Sequence, residues 1–100
     1  MKIWVDDVRP MPKGYSVWCK SVNGAIQAIK AVEGTKYVIE VIDLDHDAGD
    51  FAADGGDYIR LLDWLEATGR NYPIRIHAMN PVGRQNMKSI IKKNNWKELQ

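Results

Sequence analysis

The chain has 100 residues, of which 45% are hydrophobic and 27% charged, with a formal net charge of +1. That length holds one core and not two, so residues 1–100 are expected to form a single domain with the composition of an ordinary soluble globular protein. Its apolar runs reach only about five residues, against the roughly 20 needed to cross a bilayer, and the near-zero charge argues against nonspecific nucleic-acid binding.

In chain order, Lys2 to Val5 reads as a first strand that ends at Asp6-Asp7. A secretory signal would need a longer apolar segment here, so a cytoplasmic protein is expected. The single cysteine, Cys19, excludes an internal disulfide and suits a reducing compartment. Arg9 to Gly14 carries two prolines and a glycine and is a turn-rich connection. Tyr15 to Cys19 predicts a second strand. Ser21 is a candidate N-cap, followed at helical spacing by Val22, Ala25, Ile26, Ile29 and Val32, with Gly34 as the stop. Tyr37 to Leu44 predicts a third strand, apolar on both faces as central strands of parallel sheets are. Asp45 to Gly56 is a long loop, and Asp57 is placed to cap a helix running to about Thr68. Ile74 to His77 predicts a fourth strand. Asn80 then offers an N-cap and Pro81 the first helical position, with Met87, Ile90 and Ile91 as the buried stripe and Trp96 packing the helix end.

This order, β-β-α-β-α-β-α, predicts a small α/β domain: a parallel sheet of about four strands with helices on both faces and right-handed crossovers. The connection between the first two strands is short for a parallel crossover. In such sheets ligands bind outside the carboxyl ends of the strands. Three polar motifs fall at those ends: Asp6-Asp7-Val8-Arg9, Asp45-His46-Asp47, and His77-Ala78-Met79-Asn80-Pro81-Val82-Gly83. Neighbouring strands lie roughly 4.8 Å apart, so three ends converge within about 10 Å.

Each motif has a structural alternative. Asp6-Asp7 could be an exposed turn, His77 a satisfied structural histidine, and Asn80-Pro81 a simple helix start. Bringing Asp6, Asp7, Asp45 and Asp47 together, however, demands a cation, a basic partner or raised pKa values, because two carboxylates about 4 Å apart repel by roughly 4 kcal/mol at an effective dielectric near 20. Oxygen donors in this number favour a hard divalent cation, Mg²⁺ or Mn²⁺ first among them. Asp43, Asp45, Asp47 and Asp54 imitate the spacing of an EF-hand, but Ala48 stands where that loop requires glycine. Charge is also split locally: six acids and no base between Asp43 and Asp57, five bases and no acid between Arg84 and Lys97. The helix after Asn80 opens at the same sheet edge, where its free N–H groups favour an anion.

Asp6-Asp7 after strand one and Asp45 after strand three resemble the acidic pocket of two-component receiver domains, in which the paired acids hold Mg²⁺ and the later aspartate accepts a phosphoryl group. Ala78 stands where that family carries Ser or Thr, and the chain is expected to end before a fifth strand could bring the phosphate-sensing lysine. A closer resemblance spans nearly the whole chain. The opening M-K-I-W-V-D-D-V-R-P, the D-H-D-A-G segment and the H-A-M-N-P-V-G-R stretch are similar to the D-D-x-R, D-H-D-x-G and H-S-x-N-P-x-G motifs of the cyclic-phosphate-processing receiver-like family. Ala78 replaces the usual Ser there too.

The resemblance implies a flavodoxin-like fold and a metal-assisted phosphoesterase that processes cyclic phosphates on nucleotides or RNA ends. On that reading Asp6, Asp7 and Asp45 hold the metal with Asp47 in support. His46 or His77 serves as acid or base, while Arg9, Asn80, Gly83 and Arg84 bind phosphate. A non-catalytic module that binds a nucleotide, a metal or a protein partner is the alternative. Receiver-like surfaces also dimerise, so a homodimer is an expected assembly. Neither a membrane nor a specific DNA sequence is an expected partner.

Overall fold

A computed structural model describes all residues, 1–100. It contains five strands, β1 (Lys2–Val5), β2 (Val17–Cys19), β3 (Val41–Leu44), β4 (Ile74–Ile76) and β5 (Glu98–Leu99), and three helices, α1 (Val22–Glu33), α2 (Ile59–Ala67) and α3 (Pro81–Lys93). The strands form one parallel sheet in the order β2-β1-β3-β4-β5. This is the strand order of flavodoxin-like folds, with the switch point between β1 and β3. The receiver-like parallel sheet expected from sequence is therefore present. No helix is long and apolar enough to cross a membrane.

Local chemistry explains the helices. Ser21 caps α1, its Oγ accepting the Gly24 N–H at 3.0 Å, and Val22, Ala25, Ile29 and Val32 form the buried stripe. Asn80 caps α3 with its side chain on the Gly83 N–H, Pro81 takes the first helical position, and Lys92 and Lys93 sit in the last turn, where cations suit the helix dipole. Helix α2 differs from expectation. Its first residue follows Tyr58, and Asp57 instead accepts the Ala48 N–H at 2.9 Å, pinning the loop after β3 rather than the helix.

Strand alternation sorts the side chains onto two faces. Ile3 and Val5, Ile42 and Leu44, and Ile74 and Ile76 join the stripes of all three helices in one buried cluster. The expected helices on both faces are not found: every helix-bearing connection advances across the sheet in the same direction, so right-handed crossovers put α1, α2 and α3 on this one face. The opposite face carries an in-register row, Trp18-Trp4-Asp43-Arg75-Leu99. Its cover is the link from β1 to β2, which needs no helix because it lies along the sheet. Trp4 donates its indole N–H to the Arg9 carbonyl at 2.9 Å, Ser16 donates its N–H to the Lys2 carbonyl at 2.9 Å, and Tyr15 packs edge-on against Trp4 at 5.4 Å.

Strand lengths also differ from the reading of the sequence. Strand β3 begins at Val41, since Tyr37 and Val38 are exposed. Only Met1 runs beside that stretch, accepting the Glu40 N–H at 2.9 Å. Strand β5 was not expected at all. Two residues long, it pairs Glu98 with Ile74 and Leu99 with Arg75. Two polar or half-buried residues carry no periodicity that a sequence could display.

Candidate functional site

The carboxyl ends of β1, β3 and β4 bring the three motifs to one rim. Asp6 and Asp7 follow β1, Asp45 follows β3, and His77 follows β4. Backbone hydrogen bonds continue the pairing past the strand ends: the Asp45 N–H donates to the Val5 carbonyl and the His77 N–H to the Leu44 carbonyl, each at 3.0 Å. Carboxylate oxygens of Asp6, Asp7 and Asp45 lie within 4.8 Å of one another.

The three acids are not equivalent. Asp6 is buried, and its Oδ1 accepts the N–H groups of Val8 and Arg9 at 2.9 Å each, which turns the chain sharply after β1. Its Oδ2 faces His77 Nε2 at 2.8 Å. Burial pushes the Asp6 carboxyl up, but these bonds and His77 outweigh it and hold the group below the usual carboxylate range. Asp45 goes the other way. Burial and the nearby Asp6 charge raise it, and the His46 N–H, His77 and Arg9 offset this only in part. Asp7 accepts no hydrogen bond from the protein and lies against Gly49, whose positive φ of 55° and missing Cβ let the loop close over it.

His77 sits deeper than a catalytic histidine needs to. Its side chain is 8% exposed, and Nδ1 faces Asp43 Oδ1 at 2.7 Å while Nε2 faces Asp6. The imidazole is stacked on Trp4 with ring centroids 3.9 Å apart and planes 2° from parallel. Asp43, fully buried in β3, also accepts from Arg75 Nη1 at 2.9 Å and from the Tyr15 hydroxyl. Burial raises the Asp43 carboxyl, yet His77, Tyr15 and Arg75 together bring it below its ordinary value. Both ring nitrogens therefore face carboxylate oxygens. No buried side-chain polar atom is left without a partner.

His46 is arranged differently. Its Nδ1 meets Asp47 Oδ1 at 2.9 Å, Nε2 has no protein partner, and Asp57 lies in the same cluster. The ring packs on Gly83 in the first turn of α3, where a Cβ would stand 2.5 Å from the ring carbons. Glycine at position 83 therefore makes room for His46.

The residues expected to bind phosphate are less free than their types suggest. Arg9 Nη1 donates to the His77 carbonyl at 3.1 Å, and Arg9 is near enough to Asp45 to lower its pKa. Arg84 Nη1 turns inward to the carbonyls of Ile76 and Ala78, at 3.1 and 3.4 Å. In the first turn of α3, Pro81 has no N–H, the Asn80 side chain takes that of Gly83, and the Asn80 carbonyl takes that of Arg84. Val82 is left with the one unpaired N–H of that turn.

The sequence matches the family model described as Cyclic-phosphate processing Receiver domain over residues 1–93. The chain belongs to this family. Its D-D-V-R, D-H-D-A-G and H-A-M-N-P-V-G segments are the ones that meet at the rim. No curated protein and no solved structure matches the chain.

Sequence reasoning missed Trp4, Tyr15, Asp43 and Arg75 as parts of this centre. One signal was legible: an aspartate inside an apolar strand is almost never buried without a partner. Asp43 between Ile42 and Leu44 therefore called for a cation on a neighbouring strand. That the neighbours are Arg75 and His77 follows only from the register.

Proposed function

We propose that this domain opens cyclic phosphate esters with the help of a divalent cation held at Asp6, Asp7 and Asp45. The observation that carries the reading is the crowding of these three carboxyl groups. Their oxygens lie within 4.8 Å of one another, Asp7 has no protein partner, and Asp45 is held above its ordinary pKa, so a charge deficit exists where a cation would sit. An all-oxygen donor set suits Mg²⁺ or Mn²⁺. His77 is not a ligand in this reading, since both its nitrogens are occupied. A divalent cation there supplies Lewis acidity toward a phosphate oxygen and toward water.

The chain's own groups supply the rest. His46, oriented through Nδ1 by Asp47 and free at Nε2, takes a proton from the attacking water as its oxygen bonds to phosphorus. It returns a proton to the ribose oxygen released when the ring P–O bond breaks. Arg9 and the Val82 N–H meet the charge that develops on the phosphate. His77 keeps Asp6 fixed and takes no part in proton transfer.

The test is hydrolysis of a nucleoside 2′,3′-cyclic phosphate with Mg²⁺ or Mn²⁺, with Asp45→Asn and His46→Ala as controls. Turnover that falls by at least about a hundredfold in both variants supports the reading. A second reading is favoured by Ala78 and by the inward-turned Arg84: a module that binds the phosphate without cleaving it. Metal-dependent binding with no turnover would establish that instead.

A further inference from the structure

Seven large hydrophobic side chains are exposed on this domain, and five of them stand around the acidic rim: Val8, Trp18, Phe51, Met79 and Val82. Four follow β1, β3 and β4 in the chain, Val8 and Met79 in loops, Phe51 on the short helical turn Gly49–Ala53 and Val82 in the first turn of α3, each within two residues of a group in the site. Val8 follows Asp7, Phe51 lies two residues past Gly49 against Asp7, Met79 lies two past His77, and Val82 precedes Gly83 under His46. Trp18, on β2, donates its indole N–H to the Asp6 carbonyl at 2.8 Å. Exposed apolar residues scattered singly need no explanation, but their gathering at one functional edge does.

We infer that this apolar fringe is a subsite for the base of a nucleotide whose phosphate lies at the acidic rim. The inference rests on the cyclic-phosphate reading of that rim and adds to it the part of the substrate that is recognised. The arrangement is the inverse of a protein–protein interface, which has an apolar centre and a polar rim. Here the charged groups are central and the apolar ones peripheral, matching a small ligand with one charged group and one flat apolar group. Phe51, 39% exposed on the short helical turn Gly49–Ala53, offers the aromatic face. Met79, 76% exposed, offers an unbranched thioether that adapts to a ring edge. No hydrogen-bonding pattern for a particular base is visible on these side chains, so the subsite reads the presence of a base and not its identity.

The experiment compares binding of adenosine 2′,3′-cyclic phosphate with that of ribose 2,3-cyclic phosphate, which has no base, by calorimetry in Mn²⁺. The wild-type protein is expected to prefer the nucleotide by about five- to a hundredfold. Phe51→Ala and Met79→Ala, both at exposed positions, each bring that ratio toward one. Equal binding of the two ligands by the wild type overturns the inference while the phosphate reading stands, as does a ratio that both variants leave unchanged. No binding of either ligand in Mn²⁺ or Mg²⁺ refutes the phosphate reading, and this inference with it. Self-association that weakens in Phe51→Ala, with no discrimination between the ligands, assigns the fringe to a second copy of the chain and also overturns it.

Discussion

Asp43→Asn removes one charge from the most enclosed ionic group in the molecule while keeping its size and shape. The wild-type carboxylate is fully buried and serves His77 at 2.7 Å through one oxygen, and Arg75 at 2.9 Å and Tyr15 through the other. An amide can keep only one of those edges as an acceptor. Its NH₂ group must then face either the Arg75 guanidinium, donor against donor, or His77 Nδ1, which accepts from it only when that nitrogen carries no proton. Removing one partner from a buried pair costs about 3–5 kcal/mol. Arg75 is 42% exposed and can turn to water, which points to the lower end, about 3 kcal/mol. For a domain whose total stability is of the order of 5–15 kcal/mol, this lowers Tm by at least about 12 °C, read by thermal or urea denaturation followed by circular dichroism. The effect depends on pH. Asp43 is depressed in the folded state, so its stabilising contribution is complete above the unfolded carboxyl pKa near 4 and is lost as pH falls through the folded value. The gap between wild type and variant should therefore be widest near neutrality and close in acid. A double-mutant cycle with His77→Gln should show coupling above about 1 kcal/mol. A loss below about 1 kcal/mol, or additive single effects, would refute the argument that this network is formed and buried.

Three further outcomes follow from the site. Asp45→Asn should raise Tm in the presence of a chelator, because it removes a charge that burial and Asp6 already disfavour, and should abolish the stabilisation that Mn²⁺ or Mg²⁺ confers on the wild type; calorimetric scans with and without metal check both signs. Gly83→Ala should displace the His46 ring, since the new methyl would stand 2.5 Å from it, destabilising the fold by about 1–3 kcal/mol and removing any His46-dependent activity while Asn80 still caps α3. Burial pushes the Cys19 thiol up to about 11, so it should resist alkylation at pH 8 in the folded protein and react within minutes once unfolded in urea, as mass spectrometry can follow.

The elements most legible in the sequence were those whose signal is local. Ser21 and Asn80 are caps by chemistry, Pro81 and Gly34 punctuate helices by backbone restriction, and Val22-Ala25-Ile29 declares its face by spacing. The three polar motifs could be placed at strand ends because each directly follows an apolar run. Asp57 shows the limit of that logic. As a residue type it suits a helix cap, but the loop after β3 competes for it, and Ala48 takes the carboxylate. Strand β5 shows the same limit from the other side, since its existence depends on the free edge of β4 rather than on its own two residues.

The sequence by itself determined that acids and histidines would collect at one edge of a parallel sheet, because alternating apolar runs and short polar loops admit few other arrangements. Only the tertiary structure decided what each of them touches. Register set Trp4, Asp43 and Arg75 in one row across three strands, and that row, with Tyr15 folded over it, closes around His77 and makes it a strut for Asp6. His46 kept a free nitrogen because glycine at position 83 leaves it a place against α3. Two histidines equal in one dimension become unequal in three, since burial and partners belong to the neighbours a fold supplies and not to the residue itself.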